Sequence, residues 1–545
     1  MKRRAMAIVS MAIWLLASHG YGAAEYAVAT ANPEATEAGM SVLAMGGSAA
    51  DAVVAIQAVL GVVEPQSSGI GGGSIALYRA ERTHRMTAYD GLARSPASYD
   101  AGASAVAGFA HSGAAVGVPG ALRMLEAMHR QHGRLPWNTL FQRATDLADA
   151  GFSVSPYLAR SLAAAVHAGM PVPDWLADAS GKSVAQGTMV RNLALAETLR
   201  AVARDGADAL NVRLAGQIAQ ATRHVPPIGR ISADDIANYK PAEREPICMP
   251  YRQHMVCAFP PPSYGGVAVL EILGILAGHE QPPHAFLDLG FVHWFIEAGR
   301  LAEADRMAVV GDPDAGPVRG QTLLSPGHLQ ARAALIKDRS TINDPAPACG
   351  RLEHAPEPST SQIAIVDAEG DALAMTTTIN VNFGAWLTVG GFFLNDAMTN
   401  FSAASSGDCA ANAPAGGKRP VTAMAPVIAT DSHGSVILAG GSAGAGEIVD
   451  YVAQALLELL DGAMPAEVLD QAHVSTARAP YASTAGMVEL EQGRAVAQLA
   501  QPLAALGHRV RIVPLQSGTA FIVRRDGHWR GAADPRRDGT YASGR

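Results

Sequence analysis

The stretch "PEPSTSQIAIVD" (356–367) sets a Ser-Thr-Ser run at the mouth of an apolar segment. Ile363, Ile365 and Val366 read as a buried strand, and Asp367 opens the turn "DAEGD". A Thr hydroxyl is a weak nucleophile until a base removes its proton. When the Thr is the first residue of a chain, its own α-amine, with a free pKa of about 8, can act as that base. At Thr360 this would require a cut in the peptide just before it. The Pro-rich stretch leading to Thr360 is the kind of loop that tolerates a cut. The plainer reading is that Thr360 merely begins a strand.

A second candidate is "GGSAG" (440–444), which matches G-x-S-x-G. It follows the strand-like "SVILAG" and precedes a helical pattern at 447–459, the context of a nucleophile elbow. Asp461 or Asp470, followed by His473 or His508, gives the order Ser, acid, His. Against this reading, no "HGGG"-type loop stands upstream and alternating βα units are missing. The alternative is a Gly-rich turn whose backbone N–H groups, at a helix N-terminus, face a site and hold an oxyanion.

The elements that must position these residues change in character along the chain. "NPEATEAGMSVLAMGGSAADAVVAIQAVLGVV" has apolar residues at helical spacing and is broken into two helices by Gly46-Gly47. "GIGGGSIALYRA" is a Gly-rich turn into a strand. It lacks a preceding strand and a Lys-Ser/Thr ending, so it reads as a tight packing site and not a phosphate loop. Residues from about 118 to 340 read as mostly helical, with "VHWFIEAGRLAEADRMAVV" as an amphipathic helix stopped by Gly311-Asp312-Pro313. The Pro-rich 338–360 reads as an exposed loop. Beyond it, "SQIAIVD", "DALAMTTTINVNF", "GGFFLND", "TAMAPVIAT", "SVILAG" and "TAFIVRR" are strand-like, around one strong helix, "GEIVDYVAQALLELLDG".

Composition bounds the function. The 545 residues are 49% hydrophobic and 17% charged, which is a packed globular composition long enough for two domains or one large one. A net charge of −8, with no Lys/Arg run outside the first residues, excludes nucleic acid as a main partner. "MKRR", then "AMAIVSMAIWLLA", then small residues up to Ala23 and Ala24 form a secretory signal peptide (1–24). The alternative is an N-terminal anchor. No later segment is long and apolar enough to cross a bilayer, so a soluble protein exported to the periplasm or outside the cell is expected. Four cysteines allow three disulfide pairings. "CMPYRQHMVC" reads as two strands around a turn, so Cys248 and Cys257 could face each other. No CxxC is present, the His residues are scattered, and no metal site or cofactor is indicated.

Taken together, these motifs resemble the γ-glutamyltransferases of the N-terminal nucleophile hydrolases. "GGSAADAVVAIQAVLGVVEP", "GIGGGSIAL", "PPPSYGG", "EAGRLAEADR", "GDPD", "TSQIAIVDAEGDALAMTTTIN", "KRPVTAMAPVI" and "AADPRRDG" are similar to the family's motifs and stand in its order. The resemblance implies an α+β fold, the four-layer αββα sandwich with two central antiparallel sheets. It places the nucleophile at Thr360, which in the family attacks the carbonyl before it, here that of Ser359, and splits the precursor. A large chain 25–359 and a small chain 360–545 then form a heterodimer acting on a small-molecule amide. Thr378 falls on the second Thr, Asn380 on a substrate-contacting Asn, and Gly444 and Ala445 on the oxyanion pair.

The substrate pocket departs from the family pattern. The Arg that grips the α-carboxylate is replaced by Leu92, with Arg94 two residues on as a possible substitute. The acidic residue for the α-amine is replaced by Asn400, and a nearby Gln by Ala397. The Ser-Ser pair becomes Thr422-Ala423, and a His two after the nucleophile becomes Gln362. In lacking the amine clamp the pocket resembles those of cephalosporin-type acylases and oxamate amidohydrolase. Three functions are therefore expected in competition: a γ-glutamyl hydrolase or transferase, an amidohydrolase for another acyl group, and an inactive relative kept for binding.

Overall fold

A computed structural model describes residues 25–99, 102, 109–282, 285–340, 359–402, 407–476 and 486–545. The segment read as a signal peptide, most of the Pro-rich loop, Cys349 and the side chain of Cys409 lie outside the described residues.

Among the described residues, thirteen strands make two stacked sheets. They are β1 (Tyr26–Thr30), β2 (Gly73–Ala80), β3 (Arg85–Gly91), β4 (Ala242–Arg244), β5 (Ile247–Tyr251), β6 (His254–Ala258), β7 (Ser361–Val366), β8 (Ala372–Thr378), β9 (Val427–Thr430), β10 (Val436–Gly441), β11 (Ala520–Arg525), β12 (His528–Ala533) and β13 (Thr540–Gly544). The first sheet has the order β13-β1-β7-β8-β2-β3-β4 and the second β12-β11-β10-β9-β6-β5; the pairings are antiparallel.

Side-chain alternation in β7 and β8 separates two cores. Ile363, Ile365, Leu373 and Met375 pack with Val53, Ile56 and Leu60 of a helical layer formed by α1 (Pro33–Ala44) and α2 (Ala49–Val63). Ala364, Val366, Ala372 and Ala374 join the opposite core, with Val427, Ala429 and Leu438 of the second sheet. That core also holds α3 (Tyr264–Leu276), α4 (Leu289–Val309) and α5 (Ile448–Leu459). Strand β10 packs across β7 and β8. The result is the expected four-layer αββα sandwich. The small Ala side chains on the inner face let the two sheets approach closely.

Two local expectations are corrected. Helix α4 is not amphipathic but buried on nearly all sides, including Glu297, Arg300, Glu303, Asp305 and Arg306. It carries these charges inside because they are paired: Arg300 with Glu297 at 3.1 Å, Arg306 with Glu303 through Nε at 2.8 Å, and Asp305 with Arg332. Strand β1 has no counterpart among the expected strands, yet it pairs along β7. Among the described residues no helix is long and apolar enough to cross a membrane.

The glycines of "GIGGGS" act by close packing. An added Cβ at Gly71 would meet the Phe393 carbonyl, and one at Gly72 the Thr378 carbonyl. The turn thereby lays Gly73 opposite Thr378 in the β2–β8 register. Cys248 and Cys257 form a disulfide across the β5–β6 pair, at the edge of the second sheet. Removing it as the double Ser variant is expected to lower stability by about 2–3 kcal/mol, the loop-closure entropy of so short a loop. Urea unfolding of the two proteins, compared with and without reductant, measures it.

Candidate active site

Strand parity decides which hydroxyls meet. Thr360, Gln362, Thr376 and Thr378 share the inner-face parity of Ala364 and Ala374, whereas Ser361 and Thr377 share that of Ile363 and Met375. Thr376 accordingly donates to Gln362 Oε1 at 2.7 Å. Ser74 on β2 donates to Thr377 at 2.9 Å, toward the helical layer.

At the mouth of β7, the Thr360 hydroxyl lies on the group it would attack. Its Oγ1 donates to the Ser359 carbonyl oxygen. It also stands 3.2 Å from Thr378 Oγ1. The Thr378 hydroxyl donates to the same Ser359 oxygen at 3.0 Å and accepts from the Asn380 backbone N–H at 2.8 Å. Asn380 is held at φ +85°, a region that Asn tolerates better than most residues. This turn of the chain aims its N–H back at Thr378.

Asn380 is oriented by a residue that sequence reasoning missed. The buried Asp396 accepts from Asn380 Nδ2 at 3.1 Å and from the Val381 N–H at 3.1 Å. Burial pushes its carboxyl up to about 7, against these two hydrogen bonds. With its amide nitrogen also donating to Thr399 Oγ1 at 2.8 Å, Asn380 leaves its oxygen to accept from Asn400 Nδ2 at 2.9 Å. Thr360, Thr378, Asn380 and Asn400 thus form one hydrogen-bonded chain. The only sequence signal for Asp396 is its place in "NDAMTNF", four residues before Asn400.

The "GGSAG" loop approaches from the other sheet. A Cβ on Gly441 would meet the Gln362 amide at 2.8 Å. Gly444 takes φ +140°, a conformation suited to glycine, whereas Ala445 is not among the positive-φ residues, so its methyl is tolerated. The elbow triad is not assembled. Ser442 donates to its neighbour's carbonyl, Ala443 O, at 2.8 Å. Asp461 pairs with Arg252, Asp470 with Arg494, His473 with Ser517, and His508 with His293.

The expected pocket residues are placed as follows. Leu92 is buried in the core between the sheets. Arg94 bridges to Val118, and its guanidinium lies over the Tyr239 ring, 5.4 Å from the centroid. The Thr422 carbonyl accepts from the Tyr264 and Gly265 N–H groups at 3.0 and 3.4 Å, which ties "PPPSYGG" to "VTAM". Ala423 is partly buried against the same core. Neither Arg94 nor the Thr422–Ala423 pair bonds to the Thr360 chain among the described residues.

Known proteins resemble this chain over nearly its whole length. The family model described as "Gamma-glutamyltranspeptidase" matches residues 35–544. The glutathione hydrolase proenzyme of Escherichia coli is 31% identical, over 95% of this chain and 91% of that protein. The acylase ACY 1 proenzyme of Pseudomonas sp. (strain SE83) is 33% identical, over 94% of this chain and 92% of that protein. The crystal structure of cephalosporin acylase from Bacillus halodurans superposes with a TM-score of 0.82 at 27% identity, covering 95% of this chain and 96% of that one. The chain belongs to the γ-glutamyltranspeptidase family of N-terminal nucleophile hydrolases.

Proposed function

We propose that this protein cuts itself between Ser359 and Thr360 and then works as an amidohydrolase and acyltransferase on small acyl amides. One observation carries the reading: the Thr360 and Thr378 hydroxyls both donate to the Ser359 carbonyl oxygen. In maturation, Thr360 Oγ1 adds to the Ser359 carbonyl carbon while Thr378 holds the developing oxyanion. The C–N bond breaks, the Thr360 nitrogen takes the proton, and water hydrolyses the resulting ester. The products are a large chain 25–359 ending in a carboxylate and a small chain 360–545 beginning with a free amine. In turnover the amine accepts the Thr360 hydroxyl proton, the hydroxyl attacks the substrate amide, and the Gly444 and Ala445 N–H groups hold the oxyanion. Water or an amine then takes the acyl group. An exported heterodimer, released from its signal peptide, fits the residues at the N-terminus.

The acyl group is one without an amino-acid zwitterion. Leu92 offers no cation for an α-carboxylate, and Arg94 lies against Tyr239 and makes no hydrogen bond to the Thr360 chain among the described residues. Asn400 is neutral, and one of its amide hydrogens is already given to Asn380. Losing one member of a buried charged pair costs about 2–5 kcal/mol, or roughly 30-fold to several thousand-fold in binding. Similarity to named acylases supports the same reading. Side-by-side assay of γ-glutamyl, glutaryl and uncharged acyl p-nitroanilides tests it. We expect the γ-glutamyl compound to be the poorest by at least about tenfold in kcat/KM. A clear preference for γ-glutamyl would overturn the assignment and leave the self-cleavage untouched.

A further inference from the structure

Two buried ionisable side chains touch the residues beside the scissile peptide and are not used in the chemistry above. Arg537 Nη1 donates to the Thr360 carbonyl oxygen at 2.8 Å, and Nη2 to Gln516 O at 3.3 Å. Its guanidinium lies over the Tyr157 ring, 4.8 Å from the centroid. Gly518 leaves it passage, since a Cβ there would stand 3.0 Å from Arg537 Cδ and Nε. Glu64, at the end of α2, accepts from the Ser361 hydroxyl at 2.9 Å. Arg537 is 6% exposed and Glu64 not at all.

We infer that Arg537 is a positioning residue: it fixes the nucleophile's backbone through the Thr360 carbonyl, and its charge keeps the Thr360 α-amine unprotonated at the working pH. The inference rests on the self-cleavage proposed above, which creates that amine. Within one residue the nitrogen and the carbonyl oxygen are only two backbone bonds and a C=O apart. The guanidinium therefore lies within about 6 Å of the new amine. A like charge at that distance disfavours the ammonium form, and burial disfavours it further. The catalytic base is then neutral where a free terminal amine would be largely protonated.

The other charged groups around this point do not cancel the guanidinium. Burial pushes the Glu64 carboxyl up to about 8 although Arg537 pulls it down, so it is mostly neutral at pH 7. Asp538 accepts from the Tyr157 N–H at 3.2 Å and is only half-buried, where water screens it. Asp396 acts on the far side of Asn380, and burial holds it at about 7. Tyr157 contributes a neutral ring.

The test is the pH dependence of kcat/KM for the cut enzyme, whose acid limb reports the free base. For wild type we expect that limb clearly below about 8, the value of an ordinary terminal amine. In Arg537→Gln it should move up by about one pH unit, a loss of about tenfold in kcat/KM at pH 6, whereas Arg537→Lys should keep the limb and lose only kcat. Glu64→Gln, an isosteric change, should leave the limb in place. A wild-type limb at 8 or above overturns the inference whether or not any variant folds. So does a cut Arg537→Gln enzyme with an unmoved limb. A limb that falls by a unit in Glu64→Gln overturns it too, because Glu64 would then be an ionised counter-charge. Failure of the underlying cleavage reading is distinguishable: no chain beginning at Thr360 would be found.

Discussion

Thr360→Ala is expected to run as one uncut chain on a denaturing gel and to show no measurable amidase activity. The wild type should give a second band whose N-terminal sequence is Thr-Ser-Gln. The argument is one of geometry. The Thr360 hydroxyl is the group on the Ser359 carbonyl, and neither neighbouring serine can take its place. Ser359 Oγ is turned to the Gln66 carbonyl. Ser361 Oγ lies on the other face of β7, bound to Glu64. The Ala variant should still fold, because Ile363, Ile365, Ala364 and Val366, which anchor β7 in both cores, are untouched. Circular dichroism and a urea midpoint near that of the wild type check this. Thr360→Ser keeps a hydroxyl on the same Cβ and should still be cut. Cleavage at the same bond in the Ala variant would refute Thr360 as the nucleophile.

Much of this site is legible in the sequence because its parts sit next to recognisable local signals. The apolar alternation of "SQIAIVD" marks a buried strand, but hydroxyls at its first residues fit a plain strand start as well, and it is the resemblance of "TSQIAIVDAEGDALAMTTTIN" to the family's motif that points to Thr360. The strand–Gly-rich turn–helix order of "GGSAG" is equally visible, though on pattern alone it fits a nucleophile elbow as well as a turn of backbone donors. Periodicity cannot show which face a charged helix presents. The residues of α4 repeat like an amphipathic helix, but its charges are satisfied among themselves and are carried into the core. Nor can spacing show the residues far along the chain that pack around Thr360. Glu64 closes an Ala-rich helix and Arg537 sits near the C-terminus. Only the side-by-side pairing of β13, β1, β7 and β8 in one sheet brings their surroundings to Thr360. The elbow reading fails for the same reason in reverse: Ser442, Asp461, Asp470, His473 and His508 have the right order and the wrong neighbours. Asp396 stands in plain view in "NDAMTNF", yet its role follows from its burial and from the φ of Asn380, and neither is a property of local sequence.

Thr378→Val should slow self-cleavage by about 10²–10³-fold, with a similar fall in kcat and little change in KM. A hydroxyl has one proton to give and two lone pairs to accept with. At Thr378 the proton and one lone pair are engaged: it accepts from the Asn380 N–H and donates to Ser359 O, with the Thr360 oxygen 3.2 Å away. The Asn380 N–H thereby settles where the Thr378 proton points, namely at the oxygen that becomes negative when Thr360 attacks. Val has nearly the same shape, so the packing of β8 against β7 and β2 should hold. The loss should be that of one oxyanion donor, about 2.7–4 kcal/mol in the transition state. A separate stability cost arises because the Asn380 N–H loses its acceptor, about 1–3 kcal/mol if no other partner is found. The urea midpoint reads that cost on its own. Thr378→Ser keeps the donor and both acceptor positions and should recover most of the rate, though not all, since the missing methyl loosens the rotamer. A time course of band conversion in freshly purified precursor, with active-site titration of the cut fraction, separates maturation from turnover. If the Val variant matures at the wild-type rate, the Ser359 oxyanion must be held elsewhere. The loop at Gly444 and Ala445 would then have to serve the first cleavage as well as the later ones.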